Sequence, residues 1–341
     1  MTVAPARGVA TGAGEEPLAI AFADVEAAAA RIAGHAVRTP LLSCPPLDDL
    51  VGARVLLKAE CLQRTGSFKF RGAFNRISMI PDDERGRGVV ACSSGNHAQG
   101  VAEAARLFAI PATIVMPSDA PPIKRARTER SGARVVPYDR ESEDRNAIAR
   151  ALAGATGATF VHPYDDPGVM AGQGTTGLEI AADCAALGLA PDRVIVPAGG
   201  GGLVAGIATA LATLAPAAVV QPAEPEGFDD TTRSLLAGER VRNAALSGSI
   251  ADALLAEAPG VNTFPVHRRY LSPGVAVPDD ALLGAMAFAA NELKLVTEPG
   301  GVVALAAVLS GRVTVRGETV VCVLSGGNAD PALLAKALSS A

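Results

Sequence analysis

Apolar residues in this chain come in two kinds of run. The first kind is short, rich in Val and Ile, and uninterrupted by polar alternation. It recurs as "ARVLLKAE" (53–60), "GVVACSS" (88–94), "ATIVMPS" (112–118), "ARVVPYD" (133–139), "ATFVHPY" (158–164), "RVIVPAG" (193–199), "AVVQPAE" (218–224) and "TVVCVLS" (319–325). Continuous apolar runs of this length are those of strands buried on both faces of a parallel sheet. The second kind is Ala- and Leu-rich with helical spacing, and predicts helices over His97–Phe108, Lys124–Ser131, Glu143–Leu152, Gly174–Ala186 and Gly202–Leu214. Strand and helix alternating in this way predict an α/β fold of two doubly wound parallel-sheet domains. The units from about Gly88 to Pro163 form one layer, and the rest builds a second sheet. The expected division is a leader at 1–17, a large domain from 18–86 and 166–341, and a small domain at 87–165. An active site belongs in the cleft between them, outside the carboxyl ends of the strands.

Composition narrows the class. With 49% hydrophobic and 19% charged residues, a chain of 341 residues can bury a sizeable core and lies far from the disordered class. A net charge of −5 offers no basic face to nucleic acid, and the absence of Trp argues against base-stacking platforms. The five cysteines are scattered without a Cys-x-x-Cys, and Cys92 and Cys322 sit in apolar runs as buried thiols of a reducing compartment. The opening "MTVAPARGVATGAGEEP" lacks the apolar core of a signal peptide, and no run is long enough to span a bilayer. The cytoplasm is the expected location.

Four segments carry candidate chemistry. In "TGSFKFRGA" (65–73), Lys69 is flanked by Phe68 and Phe70. It is either a lysine that snorkels to water over aromatic surface or a desolvated amine able to act as a nucleophile. "VIVPAGGGGLVAG" leads from a strand through Gly199, Gly200, Gly201 and Gly202 into a helix, so its free amides can receive an anion. The same stretch fits a dinucleotide fingerprint through Gly200, Gly202 and Ala205, with Glu224 at the expected distance. "CSSGNHAQG" (92–100) again follows a strand and opens a helix that Ser93 and Ser94 can cap, and "CVLSGGN" (322–328) ends a third strand in Ser-Gly-Gly.

Taken in order, "GSFKFRGA", "SSGNHAQG", "AGQGT", "GGGGL", "AEPEGFDD", "TEPGG" and "VLSGGN" resemble the tryptophan synthase β-like, fold type II family of pyridoxal phosphate enzymes. The likeness runs from about Phe22 to Leu338 and is nearest to the serine/threonine dehydratase and serine racemase group. The dinucleotide reading accounts for a single motif of this set.

That resemblance implies pyridoxal 5'-phosphate in the cleft, bound by the large domain, with Lys69 as its Schiff-base lysine and Phe68 against its ring. Gly199, Gly200, Gly201, Gly202 and Leu203 would cradle the phosphate, and Asn96 would bond the ring hydroxyl. Ser93, Ser94, Asn96 and His97 would grip the substrate carboxylate. Ser325 would face the pyridine nitrogen, where an uncharged hydroxyl makes a weaker electron sink than a carboxylate would and so suits elimination. Lys69 and Ser94 are the expected catalytic pair, Ser94 standing where racemases place the acid/base of the opposite face. Arg145 aligns with an arginine that reaches the cleft in racemase and hydroxyaspartate dehydratase relatives; a surface arginine paired with a neighbouring acid is the alternative. Glu224, Asp230 and the carbonyl of Phe228 match a divalent cation site whose all-oxygen donors suit Mg2+ or Ca2+.

The activity implied is dehydration and deamination of L-threonine or L-serine to a 2-oxo acid and ammonia. The alternatives are a 3-hydroxyaspartate ammonia-lyase, a serine racemase with side lyase activity and, more remotely, a non-catalytic cofactor or amino-acid binder. One helix, expected at Pro331–Ser339, follows "VLSGGN", so a counterpart to the regulatory domain of feedback-controlled threonine dehydratases is not expected. The expected partners are a small amino-acid substrate and a second copy of the chain, with neither nucleic acid nor membrane.

Overall fold

The computed structural model describes residues 17–93, 95–120, 122–139 and 141–339. Of the expected features, Ser94 and residues 1–16 of the leader lie outside these. The strands are β1 Leu41–Ser43, β2 Arg54–Lys58, β3 Val89–Cys92, β4 Ala112–Pro117, β5 Arg134–Tyr138, β6 Thr159–Phe160, β7 Arg193–Pro197, β8 Val219–Pro225, β9 Val275–Val277 and β10 Thr319–Val323. They form a six-stranded sheet in the order β1-β2-β10-β7-β8-β9 and a four-stranded sheet in the order β5-β4-β3-β6. The smaller sheet is wholly parallel. The larger is parallel except for β1, which runs antiparallel to β2 with Leu41 opposite Lys58.

Alternate residues of the central strands enter different cores, which is what burial on both faces means physically. Val55, Leu57, Val320 and Cys322 pack with the helix Pro299–Leu309 on one face. Leu56, Val321, Val323, Val194 and Val196 pack with the helix Gly202–Leu214 on the other. The small sheet repeats the arrangement, with Val89 and Ala91 on one side of β3 and Val90 and Cys92 on the other. Phe70, Ala73, Phe74 and Ile77 of the helix Lys69–Ser78 belong to the first of those small-sheet cores. The lysine that opens this helix therefore stands where the two sheet units meet.

Two helix starts and two short strands depart from the sequence reading. The helix expected from Gly174 begins at Pro167, capped by Asp166, whose carboxylate accepts the Val169 amide. Its glycines resemble a loop in sequence but serve packing: a Cβ on Gly172 would lie 2.6 Å from the Gly72 Cα, and one on Gly174 2.8 Å from the Gly206 carbonyl oxygen. The helix expected from Glu143 begins at Arg145, because Asp144 caps it by accepting the Asn146 and Ala147 amides. Strands β1 and β9, three residues each, carry too little pattern to register in the sequence.

Candidate active site

Three strand ends converge. Neighbouring β7 and β10 deliver Gly199 and Ser325 from their carboxyl ends, at the point in the large sheet where the chain order reverses. β3 delivers Ser93, Asn96 and His97 from the small sheet. All of these line one pocket with Phe68, Lys69, Gly200, Gly201, Gly202, Leu203 and Arg145.

Lys69 is the first residue of its helix and is fixed from both sides. The Phe68 amide donates to the Ser325 carbonyl at 3.1 Å, and Ser67 forms a β-bridge with Gly326. The Lys69 Nζ donates to the Pro163 carbonyl at 2.6 Å and stands 5.0 Å from the centre of the Phe68 ring. Desolvation pulls the ammonium down to about 8, against the opposing pull of the Glu298 carboxylate. A lysine in this state is neutral a useful part of the time at physiological pH.

Opposite it, the glycine loop is bare backbone. The amides of Gly199, Gly200 and Gly201 donate to no described acceptor. A Cβ on Gly200 would collide with the Tyr164 ring and one on Gly201 with the His267 ring, so both neighbours exclude a side chain. The first-turn amides of the helix Gly202–Leu214 point the same way, as any helix start must.

Asn96 opens the helix Asn96–Leu107, whose cap is Gly95; Ser93 instead accepts the Gly95 amide at 3.1 Å. The capping expected of Ser93 is thus a local turn just outside the helix. The Asn96 amide nitrogen donates to Glu298, and its oxygen accepts from Asn328 at 2.8 Å, which fixes its orientation. His97 is buried and donates from Nε2 to the Val161 carbonyl at 2.9 Å. Burial, and then the Lys69 charge, push its pKa down to about 3, so the ring is neutral. Ser325 is 4% exposed and lines the pocket. Arg145 lines the pocket from the small-sheet side and makes no ion pair or hydrogen bond with a described residue. The acid that could have paired with it, Asp144, is engaged in capping.

Glu298 and Tyr164 also line the pocket, and neither has a role in the sequence reading. Glu298 lies within the motif "TEPGG", but nothing in that string indicates that it reaches Asn96 across the cleft. Its carboxylate oxygen occupies the place a Gly326 Cβ would take, which accounts for glycine there. All five cysteines are buried and free, Cys92 at the pocket wall.

Glu224 and Asp230 are fully buried away from this pocket's lining. Glu224 accepts the amides of Thr231 and Thr232 and the Thr232 hydroxyl. Burial, and then Asp230, push Glu224 up to about 8. Burial likewise pushes Asp230 up to about 7, and its Oδ2 has no hydrogen-bond partner among the described residues. No cluster of three or more His, Cys, Asp or Glu side chains able to hold a metal occurs among the described residues, so a cation here would rest on two carboxylates and on carbonyls such as that of Phe228.

A desolvated lysine and a loop of free amides in one pocket between two α/β sheets can receive a small anionic ligand and offer it an amine. The chain belongs to the pyridoxal-phosphate dependent enzymes, whose family model matches residues 32–326. It is 44% identical over 309 residues, 91% of this chain and 95% of the other, to an L-threo-3-hydroxyaspartate ammonia-lyase of Pseudomonas sp. A threonine deaminase of T.th. superposes with a TM-score of 0.86 at 44% identity, over 91% of this chain and 99% of that one. Maize serine racemase does so with a TM-score of 0.88 at 35% identity, over 94% and 98%. The residues present fit pyridoxal phosphate: an amine for its aldehyde, unengaged amides for its phosphate, and an uncharged hydroxyl in the pocket lining.

Proposed function

We propose that this protein is an ammonia-lyase that eliminates water from a small 3-hydroxy-L-amino acid, the resulting enamine tautomerising to an imine that water hydrolyses to a 2-oxo acid and ammonia. Its pairing of Lys69 with the uncharged Ser325 in one pocket carries the reading. Pyridoxal phosphate, when bound, supplies the sink for the electron pair left at the substrate Cα. Gly199, Gly200, Gly201, Gly202 and Leu203 hold its phosphate, Asn96 its ring hydroxyl, and Phe68 packs on its ring. Ser325 offers the ring nitrogen a hydroxyl in place of a charge. With no charge at that position the ring would be a weaker sink, which would favour loss of the β-hydroxyl, since that loss disposes of the electron pair. Lys69, with its pKa drawn down to about 8, takes the Cα proton. Ser93, Ser94, Asn96 and His97 hold the substrate carboxylate, His97 through its place at the helix start since its ring is tied to Val161. Ser94 would also serve any racemisation, as proton donor to the face opposite Lys69.

A second reading concerns the substrate side chain. The guanidinium of Arg145 on the pocket wall, unpaired among the described residues, favours a substrate with a second carboxylate, 3-hydroxyaspartate, through a charge-assisted pair. The name of the Pseudomonas relative supports the same choice.

The orphan oxygen of Asp230 beside Glu224 supports a hard cation, Mg2+ or Ca2+, held by these two and the Phe228 carbonyl. We further take 18–86 with 166–341 and 87–165 as the two domains, the chain as a homodimer, and the cytoplasm as its location. Among the described residues no helix is long and apolar enough to cross a membrane. The test is a panel of L-threonine, L-serine and 3-hydroxyaspartate assayed for 2-oxo acid release with and without chelator. No release from any of them contradicts the lyase reading.

A further inference from the structure

The glycine loop has an ordered back as well as an open front. The carbonyls of Gly200 and Gly201 point away from the pocket, and each is held by two donors. The Gly200 oxygen accepts from the Gly260 amide at 3.1 Å and from the Thr263 hydroxyl at 2.9 Å. The Gly201 oxygen accepts from the Ala205 amide at 2.9 Å and from the His267 ring at Nε2, 3.1 Å away. Thr263 and His267 lie one turn apart on the helix Thr263–Tyr270, and both are fully buried. The helix start is itself pinned, because Asp165 accepts the amides of Val261 at 3.0 Å and Asn262 at 2.7 Å. Gly201 has φ +90°, a left-handed conformation that glycine adopts freely and a bulkier residue would not. A peptide plane has one oxygen and one N–H on opposite sides. Fixing the oxygens of Gly200 and Gly201 backward therefore sets the orientation of the next amides, those of Gly201 and Gly202.

We propose that Thr263 and His267 are positioning residues for the anion cradle: by holding the Gly200 and Gly201 carbonyls they keep the loop amides aimed at the cofactor's phosphate before it arrives. Neither residue touches the pocket; neither is among its lining side chains. His267 acts as a neutral donor, its Nδ1 being buried with no partner among the described residues. Preorganised donors bind an anion without the cost of ordering them, which is the advantage lost when the back of the loop is loosened. The inference rests on the reading of Gly199–Leu203 as the phosphate cradle.

The test compares apoprotein affinities for pyridoxal phosphate and for pyridoxal, which carries the same aldehyde and ring without the phosphate. Lys69 serves both ligands alike, so the ratio of the two dissociation constants isolates the phosphate contribution. Thr263→Val keeps the shape and removes the hydroxyl donor; His267→Leu removes the ring donor; His267→Gln restores an amide donor near the Nε2 position. We expect Thr263→Val and His267→Leu each to weaken pyridoxal phosphate binding about 10-fold, with His267→Gln within about 3-fold of wild type, and pyridoxal binding unchanged throughout. A purely structural role would weaken both ligands together or lower the melting temperature alone, and either result overturns the proposal. So does a wild-type phosphate preference that survives Thr263→Val, a variant mild enough to fold whether or not His267→Leu does. If wild type itself shows no preference for the phosphorylated ligand, the cradle assignment fails, and the inference with it.

Discussion

Lys58 and Lys69 are both withdrawn from bulk water, and their surroundings make them different chemical species. Lys58, on β2, is fully buried and ringed by oxygen: its Nζ lies 2.7 Å from Glu179, 3.2 Å from Asp183 and 2.7 Å from the Thr39 carbonyl. The same cluster continues through Arg71, which is bidentate to both Glu60 and Glu179. Lys69 donates to one neutral carbonyl, and no carboxylate lies within ion-pair distance of it among the described residues. Burial with paired anions makes a cation that ties a strand to a helix. Partial burial beside a neutral carbonyl, with its desolvation, makes an amine with its pKa near 8. Desolvation is common to both sites, and the partners decide which becomes reactive.

The largest way to break this comparison is at Lys69. Lys69→Ala should cut kcat/KM for the best hydroxyamino acid by about 10⁴-fold or more, since nucleophile and base go together, with little change in melting temperature. Residual activity near wild type, read as 2-oxo acid release, would show that the wrong lysine has been chosen.

The converse holds at Lys58. Lys58→Met should leave the pocket chemistry alone but cost about 2–4 kcal/mol of stability, because Glu179 and Asp183 lose the cation between them. Their partial exposure, 13% and 20%, keeps the figure below that of a fully enclosed pair. Urea denaturation measures it. A loss of turnover per folded molecule as large as that of the Lys69 variant would erase the distinction.

At Arg145 the expected effect is on selectivity. Arg145→Ala should reduce kcat/KM for 3-hydroxyaspartate about 10- to 100-fold relative to threonine. An equal effect on both substrates would make Arg145 a surface residue.

The smallest effect is expected at Glu224 and Asp230, two carboxylates buried side by side. Their folded-state values, about 8 and about 7, lie above the ordinary 4.5 and 3.8, so the native protein holds more protons than the unfolded chain across that window. Stability of the chelated protein should therefore fall as pH rises from about 5 to about 8, and added Mg2+ or Ca2+ should offset the fall most at the upper end. Thermal unfolding curves that ignore both pH and cation across that range would show that the two carboxylates bind nothing.

What could be read in the sequence was whatever depends on neighbours along the chain. "GSFKF", "SSGNH", "GGGGL" and "VLSGG" each follow or open an element, so their meeting in one pocket follows from strands that share a direction. Glu298 and Tyr164 escaped because their contacts are made across the fold: Glu298 meets Asn96 on the other sheet unit, and Tyr164 lies against the Gly200 backbone. The first turns of Pro167–Ala186 escaped for the same reason, since Gly172 is there for the Gly72 backbone it touches on another helix. His97 shows the limit within a motif: its string identifies the loop, while the burial that ties its ring to Val161 is tertiary.

The most direct measurement is the titration of Lys69 itself in the apoprotein. The chain has five lysines, so labelling the lysine Cε with carbon-13 yields few resonances, and Lys69→Ala identifies the one that matters. The account predicts a midpoint near 8, well below the ordinary 10.5. Because the folded-state value lies below that of the unfolded chain, apoprotein stability should also rise as pH climbs through that interval. A Lys69 midpoint near 10.5 would mean the amine is an ordinary solvated cation, and the contrast with Lys58 would not stand.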